Sequence, residues 1–445
     1  MKKILVLGAG LSASTLIQYF LDHAEENNWK LRLGDLSLEN AEKKISNHPH
    51  GEAFVFDVND LDQCAKEIKT ADVVVSLLPA RFHPVIADIA VELGVNMVTA
   101  SYVSAEMKAL DKKAKEKGVA LLNELGVDPG IDHMSAMKVV DKIRAIGGKL
   151  LSFKSSTGGL VAPEYDNNPW NYKFTWNPRN VVLAGQGVSQ YIQNGRYKYI
   201  PYHKLYERVE YTRVLNVGEF EIYPNRDSLS YRSIYELQDI PTMFRGTMRR
   251  PGYCEAWNVF VQLGMTDDSY LMEGLENMTW RAFVNTFLYY DPNIKVEDKL
   301  CDYLSLDPDG IVLKKLKWLG IFEDKSLGMK SASPAQVLQK LLEQKWALGH
   351  EDKDMIVMQH QFEYELDEQK HRITSSLVVM GRDTTHTAMS ITVGTPVAIA
   401  VKLLLNGKLN LSGVHTPVKK QMYAPILEEL EPLGIKFVEE EELIK

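Results

Sequence analysis

The chain has 445 residues, 45% of them hydrophobic and 25% charged, which is too long for one hydrophobic core and suits two or three domains. Its formal net charge of −8 argues against nucleic acid or an anionic membrane surface as a partner. We find no apolar run of about 18 residues, so we expect no membrane-spanning segment. Its three cysteines form no Cys-x-x-Cys motif and no even framework, so we expect a reducing, cytoplasmic compartment without disulfides or structural zinc.

The N-terminus predicts a strand, a glycine-rich turn and a helix. The apolar run 4–7 is followed by Gly8-Ala9-Gly10-Leu11-Ser12-Ala13 and then by a helical stretch, 14–24. The glycines allow a tight turn and a close approach of a diphosphate, and the helix N-terminus offers free N–H groups to the phosphates. A second strand, 30–34, ends at Asp35, where this fold places an acid for ribose hydroxyls. The segment predicts dinucleotide binding; a βαβ unit without a ligand is the alternative.

The first 125 residues continue this alternation of strands and helices. Uniformly apolar strands are buried on both faces, which predicts an α/β domain with a doubly wound parallel sheet covered by helices. Ligands bind beyond the carboxyl ends of such strands. Further strands are predicted at 53–56, 72–78, 96–100 and 119–123, and helices at 84–93 and 105–117. The candidate cofactor-binding residues in this region are Gly8, Ala9, Gly10, Leu11, Ser12, Asp35, Ser37, Asp57, Val58 and Leu77.

The pattern changes beyond Ile131. We assign residues 1–128 to the dinucleotide-binding domain and 129–384 to a second, α+β domain with a helical insertion at about 265–350, and we expect the helices of about 385–445 to pack on the first domain. The predicted elements are a helix at 131–146, a β-rich region at 150–264, a mostly helical region at 271–348, an antiparallel hairpin of 355–366 with 371–380, a helix at 388–405 and a solvated acidic end at 439–442.

Four segments outside the glycine loop are rich in residues that bind ligands. They are 124–133, 156–160, 223–227 and 244–250. We interpret the last two as tight turns that present arginine. In the first, Asp128 follows a strand end, and its alternative role is to cap the next helix, since Asp-Pro is common at a helix start.

Nine short strings run in the order of one known family over nearly the whole chain. They are Val98–Tyr102, Asp128–His133, Gly158–Leu160, Ala162–Glu164, Asn168–Pro169, Tyr172–Trp176, Tyr223–Ser228, Arg245–Thr247 and Ala398–Gly407. In these strings the chain resembles the glutamate-forming saccharopine dehydrogenases, also called saccharopine reductases. The resemblance implies a Rossmann-type first domain, a second domain that binds substrate and dimerises, and NAD(P)-dependent interconversion of saccharopine with glutamate and 2-aminoadipate 6-semialdehyde.

The resemblance also implies roles for individual residues. Saccharopine carries several carboxylates, which arginine binds in a bidentate manner that lysine cannot reproduce. Asp128 is expected to hold the secondary amine, and Asp128 and Tyr102 are the candidate catalytic residues. The implied substrate contacts are Ser101, Tyr102, Asp128, Arg226, Thr247, Met248 and Arg249, and Trp176 is the implied cofactor contact. The alternatives are structural arginines and, for Trp176, a buried aromatic.

Two positions refine this interpretation. Many family members carry Cys where this chain has Thr157, and a threonine hydroxyl is a poor acid or base, so we expect the proton to move through Asp128, Tyr102 or water. Asp35 accepts ribose hydroxyls and repels a 2′-phosphate, which favours NAD, with NADP as the alternative. We expect no metal in the site.

Two other functions stay open. A sister enzyme acting on carboxynorspermidine-like or homospermidine-like polyamines would share the architecture, but it would replace Arg226 and Arg249 with acids. A non-catalytic dinucleotide-sensing protein would keep the glycine loop and lose the substrate arginines or Asp128. By analogy with the family we expect a homodimer that acts on a small molecule.

Overall fold

The computed structural model, which describes residues 1–444, divides the chain into two units. The first unit comprises Met1–Lys149 and Leu377–Val438, and the second comprises Leu150–Ser376 and the chain from Glu439 onwards. The strands are β1 (Lys2–Leu7), β2 (Trp29–Asp35), β3 (Gly51–Val55), β4 (Val73–Ser76), β5 (Asn96–Val98), β6 (Ala120–Leu122), β7 (Lys149–Val161), β8 (Val188–Gln193), β9 (Arg196–Pro201), β10 (Glu210–Arg213), β11 (Glu219–Pro224), β12 (Thr242–Arg249), β13 (Asp354–Leu366), β14 (Gln369–Met380), β15 (Gly413–His415) and β16 (Val438–Ile444). The α-helices are α1 (Ser14–Asp22), α2 (Leu38–Ile45), α3 (Leu61–Lys69), α4 (His83–Leu93), α5 (Ala105–Ala109), α6 (Asp111–Lys117), α7 (Ile131–Ala145), α8 (Pro178–Val182), α9 (Tyr231–Ile234), α10 (Tyr253–Leu263), α11 (Trp280–Thr286), α12 (Val296–Leu304), α13 (Ile311–Leu319), α14 (Pro334–Trp346), α15 (Ala388–Leu405) and α16 (Lys420–Leu430).

The first unit is built on a seven-stranded parallel sheet in the order β15-β6-β5-β4-β1-β2-β3. Its central strands are buried on both faces: Ile4–Leu7 and Val73–Val75 are at most 1% exposed. The order reverses direction at β1, which leaves a crevice beyond the carboxyl ends of β1 and β4. The predicted doubly wound sheet is confirmed. Its seventh strand, β15, was not predicted, because it comes from a distant part of the chain.

Helix α15 corrects one expectation from the sequence. It is 18 residues long with a mean hydropathy of 1.8, enough by length and composition to cross a membrane. Within the structure, however, 72% of this segment is buried. A Cβ on Gly394 would lie 2.9 Å from the backbone nitrogen of Leu16, so α15 packs directly against α1. These are the properties of a core helix, in which close packing rather than lipid selects apolar and small residues.

Helix α7 lies in the first unit, so the division falls after Lys149 rather than at the expected residue 128. The Tyr423 hydroxyl on α16 donates to Asp141 Oδ2 on α7 at 2.6 Å. Burial, together with the hydrogen bond to this carboxylate, raises the pKa of Tyr423. This contact holds α7 and the C-terminal helices within the same unit.

The second unit contains a nine-stranded mixed sheet. Its main path is β10-β11-β12-β7-β13-β14-β16, and β8 pairs with β12 and β9. Strand β12 runs parallel to β7 and antiparallel to β11. Strands β13 and β14 are sheet neighbours joined by Asp367 and Glu368, which both have positive φ, the geometry of a tight hairpin turn. The predicted hairpin is therefore present.

Two segments of the second unit differ from the sequence predictions. Residues 244–250, interpreted as a tight turn, lie mostly in strand β12, whose position between β11 and β7 buries nearly all its side chains. Residues 439–442, expected to be a solvated end, lie in the edge strand β16. Their carboxylates are exposed, but Arg372 on β14 contacts Glu442 at 3.2 Å, which compensates part of the acidic charge of this edge.

The α1–α15 contact yields a stability prediction. We expect Gly394→Val to destabilise the protein by about 1–3 kcal/mol, because the added side chain must displace the backbone of α1. Thermal unfolding monitored by circular dichroism measures the loss. The matched control is Val393→Ala, since the neighbouring Val393 is only half-buried. An unchanged midpoint for Gly394→Val would show that the two helices are not in close contact.

Candidate active site

The glycine loop follows β1 at the carboxyl edge of the parallel sheet. Gly8 has a φ of 106°, and a Cβ there would lie 2.9 Å from the Leu77 carbonyl oxygen, so the turn itself requires glycine. Gly10 differs, because its φ is −64° and a Cβ there would meet no protein atom within 4 Å. Protein packing therefore does not explain this second glycine. Close approach of a ligand to the backbone does, which fits a dinucleotide diphosphate.

Asp35 at the end of β2 is bound to this loop. Its Oδ2 accepts from Ala9 N–H at 2.7 Å, and its Oδ1 accepts from Ser37 N–H at 2.9 Å. Each carboxylate oxygen retains further acceptor capacity for a ribose hydroxyl. Asp35 is half-buried, whereas the next side chain, Leu36, is 74% exposed. The acid is thus held rigidly beside the glycine loop.

Lys44 is a residue that the sequence analysis left out of the site. Its Nζ lies 2.5 Å from Ser14 Oγ in the first turn of α1, since α2 runs back alongside α1. Burial lowers the pKa of Lys44, as does the neighbouring Lys43, whereas Asp35 raises it. In the sequence, Lys44 follows Asp35 by about one helix length, which was the available signal for a place near the site. Only the fold shows that its side chain reaches Ser14.

The other predicted cofactor residues of the first unit lie along the same sheet edge. Leu11 and Ser12 follow Gly10, and Leu11 is 78% exposed. The Asp57 Oδ1 accepts from Asn59 N–H at 2.9 Å in its own turn, and Val58 beside it is buried in the core. Leu77 continues β4, and its N–H donates to the Leu7 carbonyl at 2.8 Å. Trp176 belongs to the second unit and is 36% exposed, so it is not a buried core aromatic.

Tyr102 and Asp128 come together in the first unit. The Tyr102 hydroxyl donates to Asp128 Oδ1 at 3.3 Å. Asp128 does not cap helix α7: the N-cap position is Gly130, whose N–H donates to Asp132 Oδ1 at 2.6 Å. The alternative role considered for Asp128, capping this helix, is therefore not observed, and Asp132 in the first turn accepts from the N-cap residue instead. A half-buried carboxylate beside a phenol is an arrangement that can hold an amine and accept its proton.

Glu124 and His133 form a buried pair close to Asp128 in the chain. Glu124 Oε2 lies 2.8 Å from His133 Nε2, and its Oε1 accepts from Val103 N–H at 3.0 Å. His133 is fully buried, so this pair fixes the loop that carries Tyr102 against the start of α7. Among residues 1–444, no group of three or more His, Cys, Asp or Glu side chains is placed to hold a metal ion.

Arg249 at the end of β12 is a buried cation without an acidic partner. It is 3% exposed, its Nη1 donates to the Met248 carbonyl at 2.8 Å, and its Nε has no hydrogen-bond partner. The guanidinium lies 5.0 Å from the ring centre of Tyr172 and 5.3 Å from that of Tyr253. Burial raises the pKa of both phenols, so neither supplies a negative charge near neutral pH.

The nearest acid along the sheet is already occupied. Glu221 pairs with Arg249 in the register of β11 and β12, but its carboxylate accepts from the N–H groups of Gly252 and Cys254 at the start of α10. An uncompensated buried charge is costly unless another anion completes it. Within the part of the chain that the structure describes, no such anion is present, which points to a ligand carboxylate.

Other unpartnered polar groups lie on strand β7 and in the segment that follows it. Thr157 on β7 is the register neighbour of Thr247 on β12, and its buried Oγ1 has no hydrogen-bond partner. The Tyr172 hydroxyl also has none. A Cβ on Gly158 would lie 2.8 Å from the Met248 carbonyl oxygen, so this glycine permits the close approach of β7 and β12. The Thr247–Arg249 segment thus lies among groups that can bind a polar ligand.

Arg226 occupies the turn after β11, as predicted. Its φ of 38° is uncommon for a residue with a side chain. The turn is held on both sides, because Asn225 N–H donates to the Arg245 carbonyl at 2.8 Å and Gln190 N–H donates to the Arg226 carbonyl at 2.7 Å. The guanidinium is exposed and makes no ion pair with the residues of the described range 1–444.

Comparisons with known proteins agree with the resemblance. Two family models match: the saccharopine dehydrogenase NADP binding domain over residues 4–122, and the saccharopine dehydrogenase C-terminal domain over residues 126–435. The saccharopine dehydrogenase [NADP(+), L-glutamate-forming] of Schizosaccharomyces pombe is 32% identical over 99% of both chains. The mitochondrial alpha-aminoadipic semialdehyde synthase of Rattus norvegicus is 34% identical over 98% of this chain, which spans 47% of that longer protein.

Solved structures give the same result. The apo saccharopine dehydrogenase (L-Glu forming) of Saccharomyces cerevisiae has a TM-score of 0.90 and 30% identity over 99% of this chain and all of the other. A homospermidine synthase of Legionella pneumophila, in complex with NAD, has a TM-score of 0.55 at 8% identity, which is a likeness of fold alone. On the matches over both domains and nearly the whole length, the chain belongs to the saccharopine dehydrogenase family.

Proposed function

We propose that this protein is a glutamate-forming saccharopine dehydrogenase that uses a nicotinamide dinucleotide to convert saccharopine to glutamate and 2-aminoadipate 6-semialdehyde. The observation that carries the proposal is the buried guanidinium of Arg249, which forms no ion pair with an acidic side chain. The fungal relatives in this family are named for this reaction. A carboxylate-rich substrate supplies the anion that the protein itself does not. We also propose a homodimer, which size-exclusion chromatography with light scattering tests.

Each residue then has a defined part in the reaction. The glycine loop and Asp35 would hold the dinucleotide, whose nicotinamide would supply the hydride acceptor for the substrate carbon that becomes the aldehyde. Asp128 holds the secondary amine and accepts its proton, and Tyr102 donates to Asp128 Oδ1, which orients the carboxylate. Arg226 and Arg249 bind carboxylates, and water then hydrolyses the imine. Because Thr157 has only an unactivated hydroxyl, much of the rate enhancement comes from positioning.

We further propose that NAD is the preferred cofactor. Asp35 is fixed by two backbone N–H groups beside the glycine loop, and its charge repels a 2′-phosphate while its oxygens accept ribose hydroxyls. Several fungal relatives are named for NADP(+), and Lys44 is the cation in this region that favours a phosphate. Lys44 is engaged with Ser14, however, and its burial disfavours the charged form.

An assay of the purified protein tests the reaction. We expect nicotinamide reduction when L-saccharopine is added, with glutamate formed in equal amount. Carboxynorspermidine is the matched control, because a polyamine calls for acids where this chain has Arg226 and Arg249. Turnover of the polyamine, or none with saccharopine and either NAD or NADP, contradicts the proposed function.

Substitution of Asp35 tests the cofactor preference. We expect Asp35→Asn to weaken NAD by about tenfold or more and to relax the discrimination against NADP, because it removes the charge and one of the acceptor oxygens. Steady-state constants for both cofactors measure the effect. Asp35→Ala is the companion variant: it also loosens Ala9, so it separates charge from loop positioning. A wild-type preference for NADP would show that the interpretation of Asp35 is wrong.

Two further variants separate binding from chemistry. Asp128→Asn removes a proton acceptor, so we expect the turnover number to fall by about a hundredfold or more. Arg226→Lys keeps the charge but loses the bidentate geometry, so we expect it chiefly to raise the Michaelis constant for saccharopine, by about tenfold. Affinity for the cofactor is the internal control and stays unchanged in both. Near-native turnover of Asp128→Asn contradicts the catalytic role.

A further inference from the structure

The buried side chain of His83 lies between residues at two strand ends of the first unit. It is the first residue of α4 and is 2% exposed. Its Nδ1 lies 2.8 Å from Ser76 Oγ at the end of β4, and its Nε2 lies 2.7 Å from Ser101 Oγ beyond β5. Ser101 is the implied substrate contact that precedes Tyr102. The imidazole is therefore the link between a buried strand end and a residue of the candidate active site.

The partners of the imidazole indicate which ring nitrogen carries the proton. Ser76 is fully buried, and the imidazole is the only side chain with which its hydroxyl forms a hydrogen bond in residues 1–444. A buried hydroxyl whose proton finds no acceptor is costly, so Ser76 donates to Nδ1. Nε2 then carries the hydrogen and donates to Ser101 Oγ. Thr99 Oγ1 lies farther from Nε2, at 3.4 Å, and accepts from Ser101 N–H at 3.3 Å.

The charge of the ring is consistent with this arrangement. Burial lowers the pKa of His83 to about 4, so the imidazole is neutral at physiological pH and one nitrogen must accept while the other donates. A protonated ring would donate from both nitrogens and would leave the Ser76 hydroxyl without an acceptor. The position of His83 between two hydroxyls therefore suits one neutral tautomer.

We propose that His83 is a positioning residue: its Nε2–H donates to Ser101 Oγ and leaves the Ser101 proton free to bind an anionic oxygen of the substrate. The assignment of that oxygen to a saccharopine carboxylate rests on the proposed function. The hydrogen bonds that support the tautomer and the Ser101 contact all lie within the first unit. Ser101 is half-buried, so its hydroxyl can face a ligand while its oxygen accepts from His83.

Two amide substitutions at position 83 separate this role from a purely structural one. A glutamine amide nitrogen reaches the position of Nε2 and can still donate to Ser101, whereas an asparagine amide reaches only the position of Nδ1. We expect His83→Asn to raise the Michaelis constant for saccharopine about tenfold, with the constant for the dinucleotide changed less than about twofold. We expect His83→Gln to restore the saccharopine constant to within about threefold of wild type.

A double variant tests whether His83 acts through Ser101. Ser101→Ala removes the hydroxyl itself, so His83→Asn combined with Ser101→Ala is expected to be no worse than Ser101→Ala alone. His350→Asn is the matched control, since its side chain is 95% exposed. Equal defects of His83→Asn and His83→Gln, additive defects in the double variant, or equal changes for saccharopine and dinucleotide would show that His83 is only structural.

The tautomer is tested separately from turnover. Nitrogen-15 NMR of histidine-labelled wild-type protein, with the His83 signal assigned by its loss in His83→Gln, is expected to show protonated Nε2 and unprotonated Nδ1 between about pH 5.5 and 8. A protonated Nδ1 overturns the inference even if saccharopine is turned over. If saccharopine is not a substrate but the Nε2–H tautomer is found, the proposed function fails and the contact to Ser101 stands.

Discussion

Parallel pairing is the constraint on which the first unit depends. Every strand from β1 to β6 must end at the same edge of the sheet, and the order reverses at β1, so polar residues from distant parts of the chain meet there. The glycine loop, Asp35, Ser76 and Ser101 all owe their positions to this edge. The topology brings these residues close together, and hydrogen bonds then fix their positions. One joins Ala9 and Asp35, and two join His83 to Ser76 and Ser101.

Asp35 shows how one carboxylate can serve both the fold and ligand selection. Its two bonds to backbone N–H groups connect the glycine loop, at Ala9, to the turn after β2, at Ser37. The same bonds keep the carboxylate in a fixed place, so it acts on whatever ribose substituent is offered there. A surface acid without these bonds would move aside or be screened, and it would discriminate poorly between the two cofactors.

The parts of the fold that local patterns encode were predictable. Strands β1, β4, β5 and β6 are mostly apolar runs bounded by helical patterns, and the hairpin of β13 and β14 was predicted from two adjacent strand patterns, 355–366 and 371–380. Long-range neighbours were not predictable, since no local pattern tells that β15 joins β6 or that β16 joins β14. The candidate site divides in the same way: motifs suggested Asp128 and both arginines as candidates, whereas the burial of Arg249 and the contact of Lys44 with Ser14 depend on strand pairing and helix packing.

The two arginines illustrate why burial and strain carry more functional information than residue type. Arg249 bears the cost of desolvating a charge that no acid compensates, since Glu221 opposite it is bonded elsewhere. Arg226 bears the cost of a left-handed backbone, on the order of 1–3 kcal/mol. Neither guanidinium group contacts an acidic side chain of residues 1–444 that would offset this cost. A structural arginine would be expected to find its carboxylate within the protein. We therefore propose that both guanidinium groups bind an anion that arrives with the substrate, as the function proposed above requires.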